Sequence, residues 1–342
     1  MKILVGLSGG FDSAYTAMLL RVAGHEVEGA VLDMHCYTET EEAKAVAHSM
    51  DIPCHVISCR ELFDKEVVED FCDAYSVAKT PNPCIVCNEK VKFRALYDYA
   101  ILHGFDKIAT GHYARIAEKD GALSVAVAAD LSKDQSYMLY RLPKEILEKM
   151  IFPMGNIIKK EAKEEGVRRF LAAAEREESQ DICFVKGESH AEFIERRRGV
   201  FPVGDFVDED GTVLGRHSGV IRYTVGQRKG LGVSAKTRLF VKEIDPIAHK
   251  ITLADHSPDY RKFRLENTVF SGMTQDEALK TEGIKVRVRY SAPMVPVQLA
   301  FENDCLYATL LEGAGCAVTP GQSAVFYDGD RVAFGGIIEK NV

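Results

Sequence analysis

The run Ser8-Gly9-Gly10-Phe11-Asp12-Ser13 constrains this chain more than any other feature. It lies between a short apolar run, Ile3 to Leu7, and a helical pattern from Ser13 to Ala23 closed by Gly24. A strand that stops at a glycine pair and turns directly into a helix brings unhindered backbone N–H groups and a helix N-terminus to one point, where phosphate oxygens are favoured. Ser8 and Ser13 add hydroxyl groups. The run has neither the Gly-Lys-Ser/Thr ending of a Walker A loop nor the G-x-G-x-x-G spacing of a dinucleotide fold. A strand at Val27 to Leu32, a helix around Glu41 to Met50 and a short strand at Cys54 to Ser58 continue the alternation. Further on, Phe93, Leu96, Tyr97, Ala100 and Ile101 recur at helical spacing up to Gly104, and Asp106 to Thr110 reads as the next strand. This order predicts an α/β domain with a doubly wound parallel sheet, whose nucleotide lies beyond the C-terminal ends of the strands. Thr110-Gly111-His112 falls at such an end.

Near Gly199 helical periodicity gives way to glycine-punctuated β segments: Phe206 to Val213, Val220 to Thr224, Leu239 to Ile244 and Lys250 to Ala254. After Pro258 the segments Lys285 to Tyr290, Val295 to Phe301, Leu306 to Leu311, Ser323 to Tyr327 and Arg331 to Phe334 have the spacing of a small β-barrel. Three domains are predicted: residues 1–199, a mainly-β central domain at 200–260 and a C-terminal β-barrel at 261–342. With 342 residues and 46% hydrophobic content the chain can build that many cores. The net charge of -8 argues against a generic nucleic-acid binder. Local exceptions are Arg216, His217, Arg222, Arg228 and Lys229, which occur together without an acidic residue, and the alternation of Lys285, Arg287 and Arg289 along one strand face. No signal peptide or membrane span is evident, and nine cysteines are an odd, unevenly spaced set, so reduced thiols and a cytoplasmic location are expected.

Thr80-Pro81-Asn82-Pro83-Cys84-Ile85-Val86-Cys87-Asn88 cannot be helical until after Pro83, so Cys84 and Cys87 are predicted at a helix start, where a thiol pKa falls from about 8.5 toward neutrality. Alone, the pair could be a redox couple, half of a zinc site or two buried thiols. Cys183, in Ser179-Gln180-Asp181-Ile182-Cys183-Phe184, is a third candidate. Cys36, Cys54, Cys59, Cys72, Cys305 and Cys316 read as small apolar residues.

The Ser8 loop resembles the pyrophosphate-grasping motif S-G-G-x-D-S of the ATP pyrophosphatase, or PP-loop, superfamily. The similarity extends through Asn82-Pro83, Cys87-Asn88, Lys92-Phe93, Ala109-Thr110-Gly111-His112-Tyr113, Lys133-Asp134-Gln135-Ser136-Tyr137, the Cys183 segment, Thr224-Val225-Gly226-Gln227-Arg228-Lys229-Gly230 and Thr319-Pro320-Gly321-Gln322. Together, over nearly the whole chain, these resemble the tRNA-specific 2-thiouridylases. That resemblance implies an enzyme that adenylates the 2-oxygen of the wobble uridine in tRNAs for lysine, glutamate and glutamine, releases pyrophosphate, and replaces the oxygen with sulfur. It implies ATP along Gly6, Leu7, Ser8, Gly9, Gly10, Phe11, Asp12 and Ser13, with Asp12 on Mg²⁺ and Met34 and Gly111 beside the adenosine. Cys183 would take sulfur as a persulfide from a donor protein, a cysteine desulfurase or persulfide carrier, and Cys87 would be the second thiol. Asn82, Pro83 and position 84 would face the flipped-out base. His112, Lys133, Asp134, Gln135, Arg289, Tyr290 and Gln322 would contact tRNA.

Many members of the family have aspartate where this chain has Cys84, and a thiol is a poor substitute for that carboxylate as a base, its proton affinity differing by about four pKa units. The substitution suggests instead that Cys84, Cys87 and Cys183 hold a 4Fe-4S cluster that accepts free sulfide, thiolates being the usual ligands. The competing reading is another adenylating ligase of the superfamily, acting on a small substrate, which would need no paired thiols.

Overall fold

A computed structural model describes residues 1–168, 182–313 and 317–341. The expected parallel sheet is present. Strands β1 (Lys2–Gly6), β2 (Glu26–Asp33), β3 (Cys54–Ser58), β4 (Lys107–Thr110) and, later in the chain, β7 (Met150–Ile151) lie in the order β3-β2-β1-β4-β7, all parallel. Ile3, Leu4 and Val5 are fully buried because helices cover both faces, which explains why β1 reads as a continuous apolar run. β1 has β2 on one side and β4 on the other, so the chain order reverses there and opens a crevice at the strand ends.

Helix α1 (Phe11–Val22) follows β1, and α2 (Thr40–Ser49) follows β2. After β3, α3 (Arg60–Phe63), a π-helical turn at Asp64–Val68 and α4 (Glu69–Ser76) form one rod. A second rod consists of α5 (Pro83–Cys87), a π-helical turn at Asn88–Lys92 and α6 (Phe93–Leu102). The hairpin β5 (Arg115–Lys119) and β6 (Ala122–Ala126), absent from the sequence prediction, leaves this sheet and adds to the C-terminal one through Ala126 opposite Arg331. Helices α7 (Lys144–Lys149), α8 (Lys159–Arg168) and α9 (His190–Arg198) complete the region, and Gly199 at φ 86° ends α9.

The central sheet has the order β10-β11-β8-β9, from β8 (Gly204–Val207), β9 (Val213–His217), β10 (Phe240–Asp245) and β11 (Lys250–Ala254). Two predicted strands need correction. Phe206 to Val213 is not one strand: Asp208 accepts the Thr212 and Asp210 N–H groups and folds it into a turn. Val220 to Thr224 starts as a 3-10 turn, Val220–Arg222, because Gly219 at φ 115° redirects the chain.

The C-terminal unit is the expected barrel. Strands β12 (Lys262–Phe270), β13 (Lys285–Arg287), β14 (Val295–Glu302), β15 (Cys305–Leu310), β16 (Ser323–Asp328) and β17 (Arg331–Asn341) run in the order β12-β15-β14-β13-β16-β17 and close through β12 with β17. β12 was missed because its charged, interrupted pattern hides the alternation. A small helix, α10 (Gln275–Lys280), connects β12 to β13. Phe263, Val286, Phe326 and Phe334 fill the interior, with the last two rings stacked at 4.2 Å. β13 ends at Arg287, so the predicted strand to Tyr290 is too long.

Candidate functional site

Gly6 is opposite Thr110 in the sheet register, so the loops after β1 and β4 emerge side by side. Their fit is tight: a Cβ on Gly111 would come within 2.6 Å of the Asp12 carbonyl carbon and 2.7 Å of the Ser13 nitrogen. Gly9 has φ 78°, the left-handed conformation for which glycine is suited. Ser8 Oγ accepts the Gly10 N–H at 3.3 Å, Ser13 Oγ donates to the Gly10 carbonyl at 3.0 Å, and the Ser8 N–H donates to Ser13 Oγ at 3.1 Å. These bonds hold the loop in a ring without a ligand. α1 has no side-chain cap, which suits its N-terminus to an anion.

Asp12 Oδ1 accepts from the Tyr113 hydroxyl at 2.9 Å and from Lys159 Nζ at 2.5 Å. Gln135 braces Tyr113, its Oε1 accepting the Tyr113 N–H at 2.9 Å and its own N–H donating to the Tyr113 carbonyl at 2.8 Å. A carboxylate that already accommodates a cation beside a phosphate loop suits Mg²⁺, which typically takes one or two carboxylates plus phosphate oxygens.

The thiols lie on the other side of the crevice. Asn82 caps α5 by accepting the Cys84 N–H at 3.2 Å, and Pro83 occupies the first helical position, where its missing N–H costs nothing. Cys84 is exposed. Cys87, a full turn further in, is buried, and its Sγ lies 3.8 Å from Met34 Sδ. Burial pushes its thiol up to about 12, with Lys92 acting in the opposite direction and Cys183, Cys84 and Cys59 adding to the rise. The expected lowering by the helix N-terminus is therefore overturned for Cys87: desolvation outweighs it. Cys183 is exposed, yet the packing around it still raises its thiol. Its neighbour Phe184 is the anchor, packed against Phe63, Phe71 and Phe193 at 5.3 to 5.5 Å. Ser179, Gln180 and Asp181 of the same motif, like Cys316, lie outside the described residues.

Thiols are suitable donors for an iron–sulfur cluster, but among the described residues no three His, Cys, Asp or Glu side chains stand close enough to hold a metal ion. The donor chemistry fits and this conformation's geometry does not.

Several residues expected to face RNA instead support the site. Pro83 is buried. Asp134, 4% exposed, accepts the Ala128 and Ser136 N–H groups and pairs with Arg287 of the barrel at 3.1 Å. That pair also removes Arg287 from the predicted basic strand face. Gln322, 8% exposed, donates to the Thr80 carbonyl at 2.8 Å and the Pro81 carbonyl at 3.4 Å. With the Thr80 N–H bonded to the Pro320 carbonyl and Thr80 Oγ1 3.2 Å from Thr224 Oγ1, the barrel and central domain both clamp the approach to Cys84. Arg289 donates to Thr319 at 3.1 Å, whereas Tyr290 is exposed and Lys133 half-buried.

His112 lies between the two halves, its Nδ1 2.9 Å from Thr110 Oγ1 and its ring 5.3 Å from Phe93. Burial, with Lys92 adding, lowers its pKa to about 3, so it is a neutral imidazole rather than a cation for phosphate. In the basic run, His217 is satisfied by the Gly219 N–H and the His249 carbonyl and Arg222 pairs with Glu195, while Arg228 and Lys229 remain exposed. Lys159 and Phe184 were not singled out from sequence. Nothing local distinguishes Lys159 from the lysine beside it.

This fold and loop define an ATP-using PP-loop domain that carries two β domains. Family models described as the tRNA methyl transferase HUP domain, the tRNA methyl transferase PRC-barrel domain and the aminomethyltransferase beta-barrel domain match residues 1–187, 191–255 and 260–338. A protein named tRNA-specific 2-thiouridylase MnmA from Syntrophomonas wolfei is 41% identical over 342 residues, covering 99% of this chain and 100% of its own. Proteins of the same name from Dehalococcoides mccartyi and Clostridioides difficile are 38% and 36% identical, covering 98% and 100% of this chain and 96% and 99% of theirs. The chain belongs to the tRNA-specific 2-thiouridylase family.

Proposed function

We propose that this protein is a tRNA-uridine 2-sulfurtransferase: it uses ATP to activate the 2-oxygen of the wobble uridine in tRNAs for lysine, glutamate and glutamine, and replaces that oxygen with sulfur. The observation that carries this reading is the arrangement of a phosphate loop and the Cys84, Cys87 and Cys183 thiols around the C-terminal edge of one parallel sheet, with Met34 touching Cys87 from the strand next to the loop. Residues Gly6 to Ser13 bind the nucleotide's phosphates, Asp12 holds Mg²⁺, and Met34 and Gly111 flank the adenosine. Attack by the uridine oxygen on the α-phosphate releases pyrophosphate and leaves AMP as the leaving group. Asn82 and Cys84 face the extruded base, while Lys133, Arg289 and Tyr290 contact the tRNA.

Sulfur reaches the activated carbon from this group of thiols. On the persulfide route, the terminal sulfur of a Cys183 persulfide displaces AMP, and Cys87 attacks Cys183 Sγ to form a disulfide that an external thiol must reduce. A Cys87 thiol held at about 12 is protonated at neutral pH, so this route needs a rearrangement that exposes it or brings Lys92 closer. On the sulfide route, Cys84, Cys87 and Cys183 would have to close on one another to hold a 4Fe-4S cluster, with free sulfide as the donor. We place the reaction in the cytoplasm, where thiols stay reduced. Among the described residues no helix is long and apolar enough to cross a membrane.

The test is thiolation of unmodified tRNA after anaerobic purification, with iron analysis and with either sulfide or a persulfide donor. Formation of 2-thiouridine that is lost in Cys183→Ala, with pyrophosphate release retained, supports the reading. Pyrophosphate release with no thiolated product under either donor overturns it. Iron and sulfide-driven turnover that both disappear in Cys84→Ala select the cluster route; persulfide-driven turnover that survives Cys84→Ala selects the other.

A further inference from the structure

The rod that carries Cys84 and Cys87 is not a uniform α-helix. From Asn88 to Lys92 it closes as a π-helical turn, the Phe93 N–H donating to the Asn88 carbonyl five residues back. In an α-helix, with about 3.6 residues per turn, a side chain five positions on points well away from the first, whereas in a π turn five positions complete about one turn. Lys92 is thereby brought round to the side of the rod that carries Cys87. The electrostatics agree with this placement: burial is the first influence on the Cys87 and Cys183 thiols and on the His112 ring, and the Lys92 charge acts on all three. The other charges of the turn are engaged, Glu89 lying 2.8 Å from Arg141 and Lys90 2.8 Å from Glu66. Lys92 is half-buried and, among the described residues, has neither a carboxylate nor a hydrogen-bond partner. An ammonium that loses part of its hydration without gaining a counter-ion is destabilising, and a bound anion reverses that. The nearby basic groups are not available to such an anion: His112 is neutral, Lys159 is held by Asp12, and Lys186 lies over the Tyr37 ring at 5.5 Å.

We propose that Lys92 holds the phosphate of the adenylated uridine through the step in which sulfur displaces AMP. The place follows from the order of the reacting groups. Ser8 to Ser13 take the pyrophosphate, and Cys84, Cys87 and Cys183 deliver sulfur, so the α-phosphate lies in the seam between them, where His112 packs at 5.3 Å on Phe93, the residue next to Lys92. In the displacement the sulfur electron pair forms a bond to C2 of the base. The bond from C2 to the former carbonyl oxygen breaks, and that oxygen leaves with its electron pair as part of AMP. The phosphate thereby passes from a diester to a monoester that carries more negative charge. A fixed cation at that point stabilises the departing group more than the ground state, and lysine supplies it as a compact charge with three donors. This inference rests on the thiouridylase reading and adds to it a residue that belongs to neither the phosphate loop nor the thiols.

The experiment is a rapid-quench single turnover of the full-length protein with unmodified tRNA, Mg²⁺, labelled ATP and the sulfur donor that supports wild-type turnover. It follows pyrophosphate, adenylated tRNA and 2-thiouridine, and calorimetric titrations with AMP and with magnesium pyrophosphate accompany it. Loss of one charge-assisted contact predicts that Lys92→Met and Lys92→Gln weaken AMP by roughly 10-fold and slow the conversion of adenylated tRNA to 2-thiouridine by at least as much, with pyrophosphate affinity within about 2-fold of wild type. Pyrophosphate release slows less, so adenylated tRNA accumulates. Lys92→Arg recovers most of both losses. Lys92→Gln keeps a polar, helix-compatible side chain should the methionine variant misfold, and retained pyrophosphate binding reports the fold of each. AMP affinity that stays at the wild-type value overturns the proposal; slowed sulfur transfer alongside it makes Lys92 a counter-ion of the thiols instead. Equal loss of AMP and pyrophosphate binding makes it a structural support and does the same. Wild-type protein that releases pyrophosphate but forms no 2-thiouridine with either sulfide or a persulfide donor refutes the thiouridylase reading itself, a result distinct from any variant effect.

Discussion

The phosphate-loop half of the crevice and the thiol half are built by opposite means. The loop is held mainly by contacts within six residues, Ser8 to Ser13, with Gly111 and Tyr113 added from the adjacent strand's end and Lys159 from α8. Cys84 and Cys87 depend on partners far away in sequence: Gln322 and Pro320 from the barrel, Thr224 from the central domain and Met138 from the 3-10 turn at Ser136–Leu139, which accepts from Asn82 and Asn88. Cys183 joins them only because Phe184 fits among three other phenylalanine rings. Phosphate binding needs backbone geometry, which a short segment can fix by itself. Sulfur handling needs reactive side chains brought together yet able to rearrange, and that requires several elements with independent anchors.

If the loop is so rigid, it must be intolerant of even one added carbon. Gly111→Ala places a methyl group against the Asp12 and Ser13 backbone at 2.6 to 2.7 Å, and backbone cannot rotate away as a side chain can. A destabilisation of about 1–3 kcal/mol is expected from overpacking, accompanied by at least a roughly 10-fold weaker ATP affinity. Urea unfolding together with nucleotide titration measures both, and unchanged ATP affinity in a folded variant breaks the claim that the two strand ends form one site. Gln322→Ala probes the other half. It leaves the Thr80 and Pro81 carbonyls without their side-chain donor, at about 1–2 kcal/mol. Thiolation should fall several-fold while ATP affinity stays within about 2-fold of wild type. Equal loss of both would show that the halves are not held independently.

The same contrast explains what the sequence could reveal. The parallel sheet, the barrel and the phosphate loop were readable because apolar periodicity and glycine placement are local. Gln322 and Asp134 were read as RNA-facing from the motifs around them and Arg287 from the charge alternation of its strand, but whether such a residue faces solvent or a neighbouring domain is decided by contacts across 153 to 242 positions. Cys87 was misjudged for a related reason: position near a helix start is visible in sequence, whereas the depth of burial that sets its thiol at about 12 is not. Lys159 carries no local signature at all, since only the fold brings it to Asp12, 147 residues away.

His112 belongs to both halves, bonded through Nδ1 to Thr110 at the end of β4 and packed on Phe93 of the cysteine-bearing rod. Its pKa is about 3 in the folded protein against 6.5 for an ordinary imidazole, with burial as the first cause. Above 6.5 the ring is neutral in both states and its contribution to stability is complete. As pH falls from 6.5 toward 3, the unfolded chain takes up a proton that the folded chain refuses, so stability is lost at no more than about 1.4 kcal/mol per pH unit. Between pH 7 and 5.5 the wild type should therefore lose about 1 kcal/mol more than His112→Gln, read as the difference in urea midpoints at each pH. Subtraction cancels His35, His190 and His217, whose pKa values burial also lowers. Equal pH slopes for the two proteins would mean that the imidazole, half-buried by its accessible surface, is hydrated well enough to take up a proton in the folded state as in the unfolded one.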